Sequence, residues 1–336
     1  MIFAQGCRGC GVDSSHYYNP NNSRTARYVS CATTKYMCDN SATCKNGLQP
    51  CIWHDEFGDG SSLGGYVLED VISLSAYNNG TFTVQSSKPF PIGTVVRINS
   101  PPGIDFEGEG IYGIWGLAYR DVSGWDEAPV LDQLIQDLGY YDSFDLCLFE
   151  DGGLFSIGND YTTHNKFVWT PIVEKQWYTV ALNDWSVDGR SLGLAPETLN
   201  QNGVIIDSGT TLIIVNQFIF DQFRYTLEEM CERVYLKGVC GSLRNSSLFD
   251  GKCYHMTQQD LFQFPALTFH FQDTEGISIL GQQYLWQGSG VEGVYCLGIQ
   301  PHEGLPMILG DVFMRNFHLV FDRTINKIGF GPLNTC

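Results

Sequence analysis

The run Val204-Ile205-Ile206-Asp207-Ser208-Gly209-Thr210-Thr211-Leu212-Ile213-Ile214-Val215 places one carboxylate inside an apolar stretch. A lone charge is costly to bury, so a functional reason for Asp207 is expected. Gly209 lets the backbone turn tightly beside the carboxylate, and Ser208 and Thr210 offer hydroxyls that can hold its oxygens. The structural alternative is a strand that ends in an Asx-type turn. The run therefore marks Asp207 as a candidate catalytic residue.

The rest of the chain is dominated by short apolar segments, broken by Gly, Pro, Asn and Asp. This pattern is typical of an all-β protein. Helical periodicity is local and predicts one helix over 129–138 and a longer one capped by Asn216. The 336 residues are enough for two lobes with sizeable cores.

The chain is strongly acidic, with 19 Lys and Arg against 37 Asp and Glu and a net charge of -18. Such a surface repels phosphate backbones and anionic headgroups, so we expect no nucleic-acid partner. No stretch of the sequence approaches the length of a membrane span.

Twelve cysteines, an even number, indicate disulfides made in an oxidising compartment. Zinc is the alternative, because Cys7 and Cys10 have ligand spacing. No second close pair follows at zinc-finger spacing, so we expect no metal. The six cysteines from Cys7 to Cys51 allow many pairings, and the sequence does not choose among them.

Three glycosylation sequons agree with secretion, and they begin at Asn21, Asn79 and Asn245. The first residues, Met1-Ile2-Phe3-Ala4, have neither the basic flank nor the apolar core of a signal peptide. We therefore expect the natural N-terminus to lie upstream of Met1, and the protein to enter the secretory pathway for an extracellular or lytic compartment.

The block at 308–317, Ile-Leu-Gly-Asp-Val-Phe-Met-Arg-Asn-Phe, makes the pattern around Asp207 specific. Together with 320–323 and 328–330 it resembles the closing signature of the pepsin-like aspartic proteases, and the run around Asp207 resembles their active-site motif. Residues 113–119 resemble the counterpart in the first lobe. The resemblance implies an all-β, bilobal acid-protease fold, with lobes at 1–170 and 171–336. The cysteine content is similar to the plasmepsin V-like, nepenthesin-like and beta-secretase-like branches.

The resemblance implies endopeptidase chemistry at two facing carboxylates that share one proton. Asp207 would be one of them, supported by Ser208, Gly209 and Thr210. The segment Phe57-Gly58-Asp59 resembles the flap that closes over substrate, and with Thr211 it would contact an extended polypeptide. The resemblance implies neither a metal nor an organic cofactor, and we expect a monomer.

The family's first motif, apolar-apolar-Asp-Thr-Gly-Ser, is absent. The segment Met1-Ile2-Phe3-Ala4-Gln5-Gly6-Cys7 resembles the strand that follows it. We therefore expect a first lobe truncated at its N-terminus, with Met1 a few positions after the missing aspartate. The nearest substitute, Asp13, lacks a preceding apolar run and has Ser15 where the motif needs Gly. The chain by itself is expected to be inactive.

The resemblance also implies two disulfides in the C-terminal half, Cys253 with Cys296 and Cys147 with Cys336. Cys231 and Cys240 form a further candidate pair because they flank one helix end. The flap carries Phe57 where the family usually has Tyr, and Phe3 stands where that Tyr usually finds a Trp.

The alternative function is a non-catalytic binding or inhibitor protein on the same fold, as in plant xylanase inhibitors. The intact motif at Asp207 argues against it, because an inactive site has no chemical need for that serine, glycine and threonine.

Overall fold

Strands supply most of the regular structure in the computed structural model, which confirms the all-β prediction. The residues described are 1–10, 14–58, 60–77, 81–86, 88–99, 111–122, 125, 128–150, 152–242, 245–288 and 290–336, with the backbone alone at 75–77 and 81–85. They form two compact units, Met1–Gly139 and Tyr140–Cys336.

The described residues of the first unit form seven strands, one α-helix and four short 3-10 helices. The strands are β1 (Ile2–Arg8), β2 (Arg27–Tyr28), β3 (Ile52–Glu56), β4 (Ser62–Asp70), β5 (Ser73–Tyr77), β6 (Thr81–Gln85) and β7 (Phe90–Asn99). The α-helix is α1 (Val130–Leu138), and the 3-10 helices are Ser14–His16, Pro20–Asn22, Ser41–Thr43 and Arg120–Val122.

The main sheet of the first unit has the order β1-β7-β4-β2, with β3 also paired to β4. Burial alternates along β4, where Leu63, Gly65 and Val67 face inward, because successive residues of a strand point to opposite faces. Phe3 of β1 and Trp53 of β3 complete the core of this sheet. β5 and β6 form a separate hairpin.

Residues 31–51, the stapled insertion, contain little regular structure and are held by disulfides. Cys31 is joined to Cys44, and Cys38 to Cys51, while Cys7 pairs with Cys10 nearby in sequence. These bonds resolve the pairing that the sequence left open. They fix a segment whose own apolar content is too small to form a core.

The second unit contains most of the strands and five α-helices. Its strands are β8 (Ser143–Phe149), β9 (Gly152–Ile157), β10 (Val168–Pro171), β11 (Thr179–Val180), β12 (Leu182–Val187), β13 (Arg190–Ser191), β14 (Val204–Ile206), β15 (Ile213–Val215), β16 (Tyr254–His255), β17 (Leu267–Phe271), β18 (Ile277–Ile279), β19 (Leu285–Trp286), β20 (Val294–Leu297), β21 (Ile299–Pro301), β22 (Met307–Leu309), β23 (His318–Asp322) and β24 (Lys327–Gly331). Its helices are α2 (Pro196–Leu199), α3 (Gln217–Met230), α4 (Gln258–Gln263), α5 (Gly281–Tyr284) and α6 (Asp311–Met314), with 3-10 turns at Leu248–Asp250 and Leu333–Thr335.

One five-stranded sheet of the second unit has the order β10-β24-β23-β8-β9. β8 pairs with β23 from Ser143 opposite Asp322 to Cys147 opposite His318. The sequence predicted that residues up to 170 belong to the first lobe. The compact units divide at 139 and 140, because β8 hydrogen-bonds to β23 near the end of the chain and β9 pairs with β8. The lobe boundary at 170 stays a prediction.

A second five-stranded sheet has the order β11-β14-β22-β15-β21, and it carries the run that opened the sequence. Its strands β14 and β22 are fully apolar and fully buried, as expected for strands covered on both faces. A four-stranded sheet, β13-β12-β17-β18, packs its aromatic residues around Trp185, which stacks on Phe223 and Phe269 with ring centroids 5.4 and 5.1 Å apart.

The predicted cap of the long helix is present, since the Asn216 side chain accepts a hydrogen bond from the backbone N–H of Ile219. α3 then buries Phe220, Phe223 and Leu227 and ends at Met230, although the apolar periodicity continued to Val234.

Three disulfides staple the second unit. They join Cys147 to Cys336, Cys231 to Cys240 and Cys253 to Cys296, the pairs that the sequence and the resemblance had suggested.

Candidate active site

The scaffold of the site is the arrangement of β14, β22 and β15. β22 lies between the other two, parallel to β14 with Ile205 opposite Ile308, and antiparallel to β15 with Ile213 opposite Leu309. The turn that joins β14 to β15 therefore crosses the end of β22. Asp207 is the first residue of that turn.

One glycine and two backbone hydrogen bonds hold the turn in place. Gly310 follows β22, and a Cβ there would overlap the carbonyl oxygens of Thr210 and Leu212. The N–H of Asp311 donates to Thr210 O at 2.7 Å, and the N–H of Val312 donates to Thr211 O at 2.9 Å. The absence of a side chain at 310 is thus a condition for the close approach of the turn.

The carboxylate of Asp207 is held by both of its oxygens. The Thr210 hydroxyl donates to Oδ2 at 2.7 Å, and the backbone N–H of Gly209 donates to Oδ1 at 2.9 Å. The N–H of Asp207 itself donates to Leu309 O at 3.3 Å. Since each carboxylate oxygen has a second lone pair, the group can still accept a proton or bind a water on its open side.

Asp207 is half-buried, while Ser208, Gly209 and Thr211 are exposed. Of the hydroxyls suggested by the sequence, that of Thr210 bonds to the carboxylate. The arrangement combines a fixed carboxylate with access from solvent, which are two requirements of a general acid or base.

Asp311, the first residue of α6, is a second ionisable group beside the turn. Its side chain is half-buried, and burial raises the pKa of its carboxyl, with Arg315 acting in the opposite direction. The N-cap position of α6 is occupied by Gly310, so no side chain caps this helix.

The sequence alone did not show that Gly310 contributes to the site. The apolar-apolar-Gly pattern at 308–310 was visible, and so was its counterpart near Gly113, but such triplets are common by chance. Only the strand pairing shows that Gly310 touches the turn of Asp207.

The predicted flap is the β3–β4 hairpin of the first unit. The N–H of Phe57 donates to Ser61 O at 2.9 Å, and the N–H of Gly60 donates to Phe57 O at 2.9 Å. Gly60 has φ +83°, a conformation that favours glycine. Phe57 is half-buried against the cluster that contains Phe3, and Gly58 is exposed. Asp59 lies outside the described residues.

Two of the three sequons fall on described residues. Asn21 is exposed in a 3-10 helix, and Asn245 is exposed with φ 64°. Ser247, the hydroxyl residue of the third sequon, is buried and caps a 3-10 turn by accepting from Phe249 N. Asn79 lies outside the described residues.

Cys147, His318 and Cys336 are the only metal-ligand group found in the described part of the chain, with ligand atoms within 4.8 Å of one another. Both sulfurs are used in the Cys147–Cys336 disulfide, so neither is available as a thiolate. The described residues also include no helix with the length and apolar character needed to cross a bilayer.

Comparison with known proteins fits this geometry. The model of the family described as eukaryotic aspartyl protease matches residues 12–333. The chain therefore belongs to the eukaryotic aspartyl protease family, and its fold is the pepsin-like all-β fold.

Similar proteins include Aspartic proteinase 36 of Arabidopsis thaliana, 28% identical over 94% of this chain and 64% of that protein. Gastricsin of Oryctolagus cuniculus is 26% identical over 85% of this chain and 72% of its own length. Cathepsin D of Homo sapiens is 27% identical over 88% of this chain and 69% of its own length. The chain thus spans less than two thirds of Aspartic proteinase 36.

Proposed function

We propose that this chain supplies most of an aspartic endopeptidase, including Asp207 as one of its two catalytic carboxylates. The observation that carries the proposal is the carboxylate of Asp207, half-exposed and held through both oxygens by Thr210 and Gly209. Such double support fixes the direction of the group without neutralising it. The family membership of the chain supports the same reaction.

The reaction is the addition of water to a peptide carbonyl. One carboxylate, ionised, removes a proton from a bound water as its oxygen attacks the carbonyl carbon. The other carboxyl, protonated, donates to the carbonyl oxygen. The tetrahedral intermediate then collapses as a proton moves to the leaving nitrogen. Because the two groups titrate as a pair, neither role is assigned permanently to Asp207.

The remaining site residues are proposed to position the polypeptide substrate. Thr211 and Ser208 are exposed next to the carboxylate. We place Phe57, Gly58 and Asp59 of the hairpin on the substrate backbone. With six disulfides and two exposed sequon asparagines, we assign the protein to the secretory pathway and to an extracellular or lytic compartment.

The proposed reaction needs a second carboxylate in addition to that of Asp207. The pattern Asp-Ser-Gly or Asp-Thr-Gly occurs once in the sequence, at Asp207. We propose that the 336 residues alone do not hydrolyse peptide bonds, since a single carboxylate cannot supply both base and acid.

The test compares two polypeptides on an unfolded protein substrate at acid pH. One is the 336-residue chain, and the other, the extended enzyme, has apolar-apolar-Asp-Thr-Gly-Ser placed a few residues before Met1. We expect pepstatin-sensitive cleavage by the extended enzyme only. Cleavage of that kind by the 336-residue chain would show that it needs no further motif, and inactivity of both would favour the non-catalytic alternative.

A further inference from the structure

The charge of the chain is distributed very unevenly. Residues 1–54 carry five Lys and Arg against two Asp and Glu, whereas the remainder carries 14 against 35. Four of the five basic residues lie in or just before the stapled insertion, and all four are exposed: Arg24, Arg27, Lys35 and Lys45. A basic region on an otherwise acidic protein attracts acidic partners, while the rest of the surface repels them, so such a partner is directed to the basic region.

The same region exposes large apolar side chains. Tyr28 is 56% exposed, Met37 71% and Leu48 86%. A single exposed apolar residue is ordinary. Tyr28 and Leu48, however, line one groove of about 310 Å³, together with Val29, Pro50 and Tyr66. Clustered apolar exposure of this kind is characteristic of interaction sites.

The groove is rigidly built before any ligand arrives. Its two walls, 28–31 and 47–51, are joined by hydrogen bonds from Cys31 N to Gln49 O at 2.9 Å and from Cys51 N to Val29 O at 2.7 Å. The Ser30 hydroxyl adds a bond to Gly47 O at 2.9 Å. The Cys31–Cys44 and Cys38–Cys51 disulfides close the loop behind them. A preformed groove loses little conformational entropy on binding.

We propose that this groove binds an acidic polypeptide segment that inserts one apolar side chain between Tyr28 and Leu48. The volume is at the lower end of the range for ligand pockets, which suits one side chain better than a whole small molecule. The carboxylates of the segment pair with Lys45 and Arg27, which flank the groove residues in sequence. Glu69 lies opposite Arg27 in the β2–β4 pairing, so Lys45 contributes more than Arg27.

Binding at this groove is independent of the peptidase reaction, because no groove residue belongs to the turn of Asp207. It gives the first unit a docking function that an inactive form of the protein would retain. The polypeptide held here is therefore a separate acidic partner and not the substrate of the peptidase reaction.

The test uses the 336-residue chain and a fluorescent peptide with one leucine flanked on both sides by glutamates. Matched peptides carry glutamine for glutamate, or alanine for leucine. We expect binding that weakens with salt and about tenfold weaker binding for either control peptide. Lys45→Glu and Leu48→Ser should each weaken binding about tenfold. Lys88→Glu, at an exposed lysine of the same unit, should leave it unchanged.

Thermal unfolding and disulfide mapping confirm that the variants are folded, and Tyr28→Ser provides a second groove variant. Failure of the acidic peptide to bind at about 1 mM would overturn the proposal, as would equal losses for Lys88→Glu and Lys45→Glu. Binding to phosphatidylserine vesicles without peptide binding would assign the region to a membrane surface instead. Self-association that Leu48→Ser abolishes would assign it to a second copy of the chain.

Discussion

The two units repeat one arrangement of strands. In the second unit, β15 runs parallel to β21 and antiparallel to β22. In the first unit, β1 runs parallel to β7, and its residue Ile2 forms an antiparallel bridge with Gly113. The N–H of Phe3 donates to Tyr112 O at 2.8 Å, which continues the contact.

A glycine occupies the point of closest approach in both units. A Cβ at Gly113 would meet the carbonyl of Met1, and a Cβ at Gly310 would meet those of Thr210 and Leu212. The two units differ in the strand and the turn that adjoin this crossing. In the second unit β14 and the turn of Asp207 lie on the other side of β22. No corresponding turn occurs among the described residues of the first unit.

The strand arrangement is therefore distinct from the catalytic group that it can carry. Paired strands and a glycine at their crossing are present in both units, but among the described residues a turn with a carboxylate beside that glycine occurs only in the second. A strand arrangement of this kind therefore does not by itself define a catalytic residue.

The largest expected effect comes from adding a methyl group at each glycine. Gly310→Ala should destabilise the second unit by about 3 kcal/mol, because the overlapping atoms are backbone carbonyls that cannot rotate away. Gly113→Ala should lower stability less, because a Cβ there overlaps one carbonyl oxygen, that of Met1, whereas a Cβ at Gly310 overlaps two. Urea unfolding of both variants gives the comparison, and equal losses would show that the two crossings are equally constrained.

The next effect concerns the hydroxyl that holds the carboxylate. Thr210→Val keeps the shape of the side chain but removes the bond to Asp207 Oδ2. In the extended enzyme we expect kcat to fall about tenfold with little change in unfolding temperature, as for the loss of one hydrogen bond to a charged group. Thr210→Ser restores the hydroxyl and should recover most of the activity. Equal kcat for the valine and serine variants would show that this bond does not support catalysis.

The smallest effect is a difference in how the two units respond to acid. In the first unit, burial of Asp70 is outweighed by hydrogen bonds from Thr25, Tyr18, Ser23 and Val71, so the pKa of its carboxyl is lowered. In the second unit, burial raises the pKa of Asp322, despite hydrogen bonds from Ile325 and Tyr141.

The contributions of Asp70 and Asp322 to the free energy of unfolding change with pH in opposite directions. The contribution of Asp70 is complete above the ordinary aspartate pKa and is lost as pH falls through its lowered value. That of Asp322 is complete below the ordinary pKa and is lost as pH rises through its raised value.

We therefore expect Asp70→Asn to reduce the slope with which the free energy of unfolding of the first unit falls toward acid pH. Asp322→Asn should flatten the loss in the second unit at higher pH. Each slope is at most about 1.4 kcal/mol per pH unit. Hydrogen exchange followed in each unit measures both slopes. The pH is varied from about 2 to 6, a range around the ordinary pKa of aspartate. Unchanged slopes in the variants would contradict the assignment.

Much of the second unit was predictable from sequence, because local patterns and pairing agree there. The apolar runs on either side of Asp207 gave β14 and β15, and Asn216 marked the start of α3. The end of α3 was not predictable, because the apolar period continues after Met230 while the chain turns.

The features that sequence could not supply depend on contacts distant along the chain. Residues 143–149 carry no local sign that they pair with a strand near the C-terminus. The three disulfides of residues 7–51 likewise follow from the path of the loop and not from cysteine spacing. The groove beside Leu48 appears only when 28–31 and 47–51 are brought together.

Replacement of Asp207 by Asn in the extended enzyme tests the central claim most directly. The amide keeps the size of the side chain, its oxygen can still accept from the N–H of Gly209, and its NH2 group can donate to the hydroxyl oxygen of Thr210. It cannot remove a proton from water. The account predicts loss of measurable peptide cleavage, with unchanged unfolding temperature and the same six disulfides. Retention of more than a few per cent of the cleavage rate by a normally folded variant would contradict it, because the catalytic carboxylate would then have to be another residue.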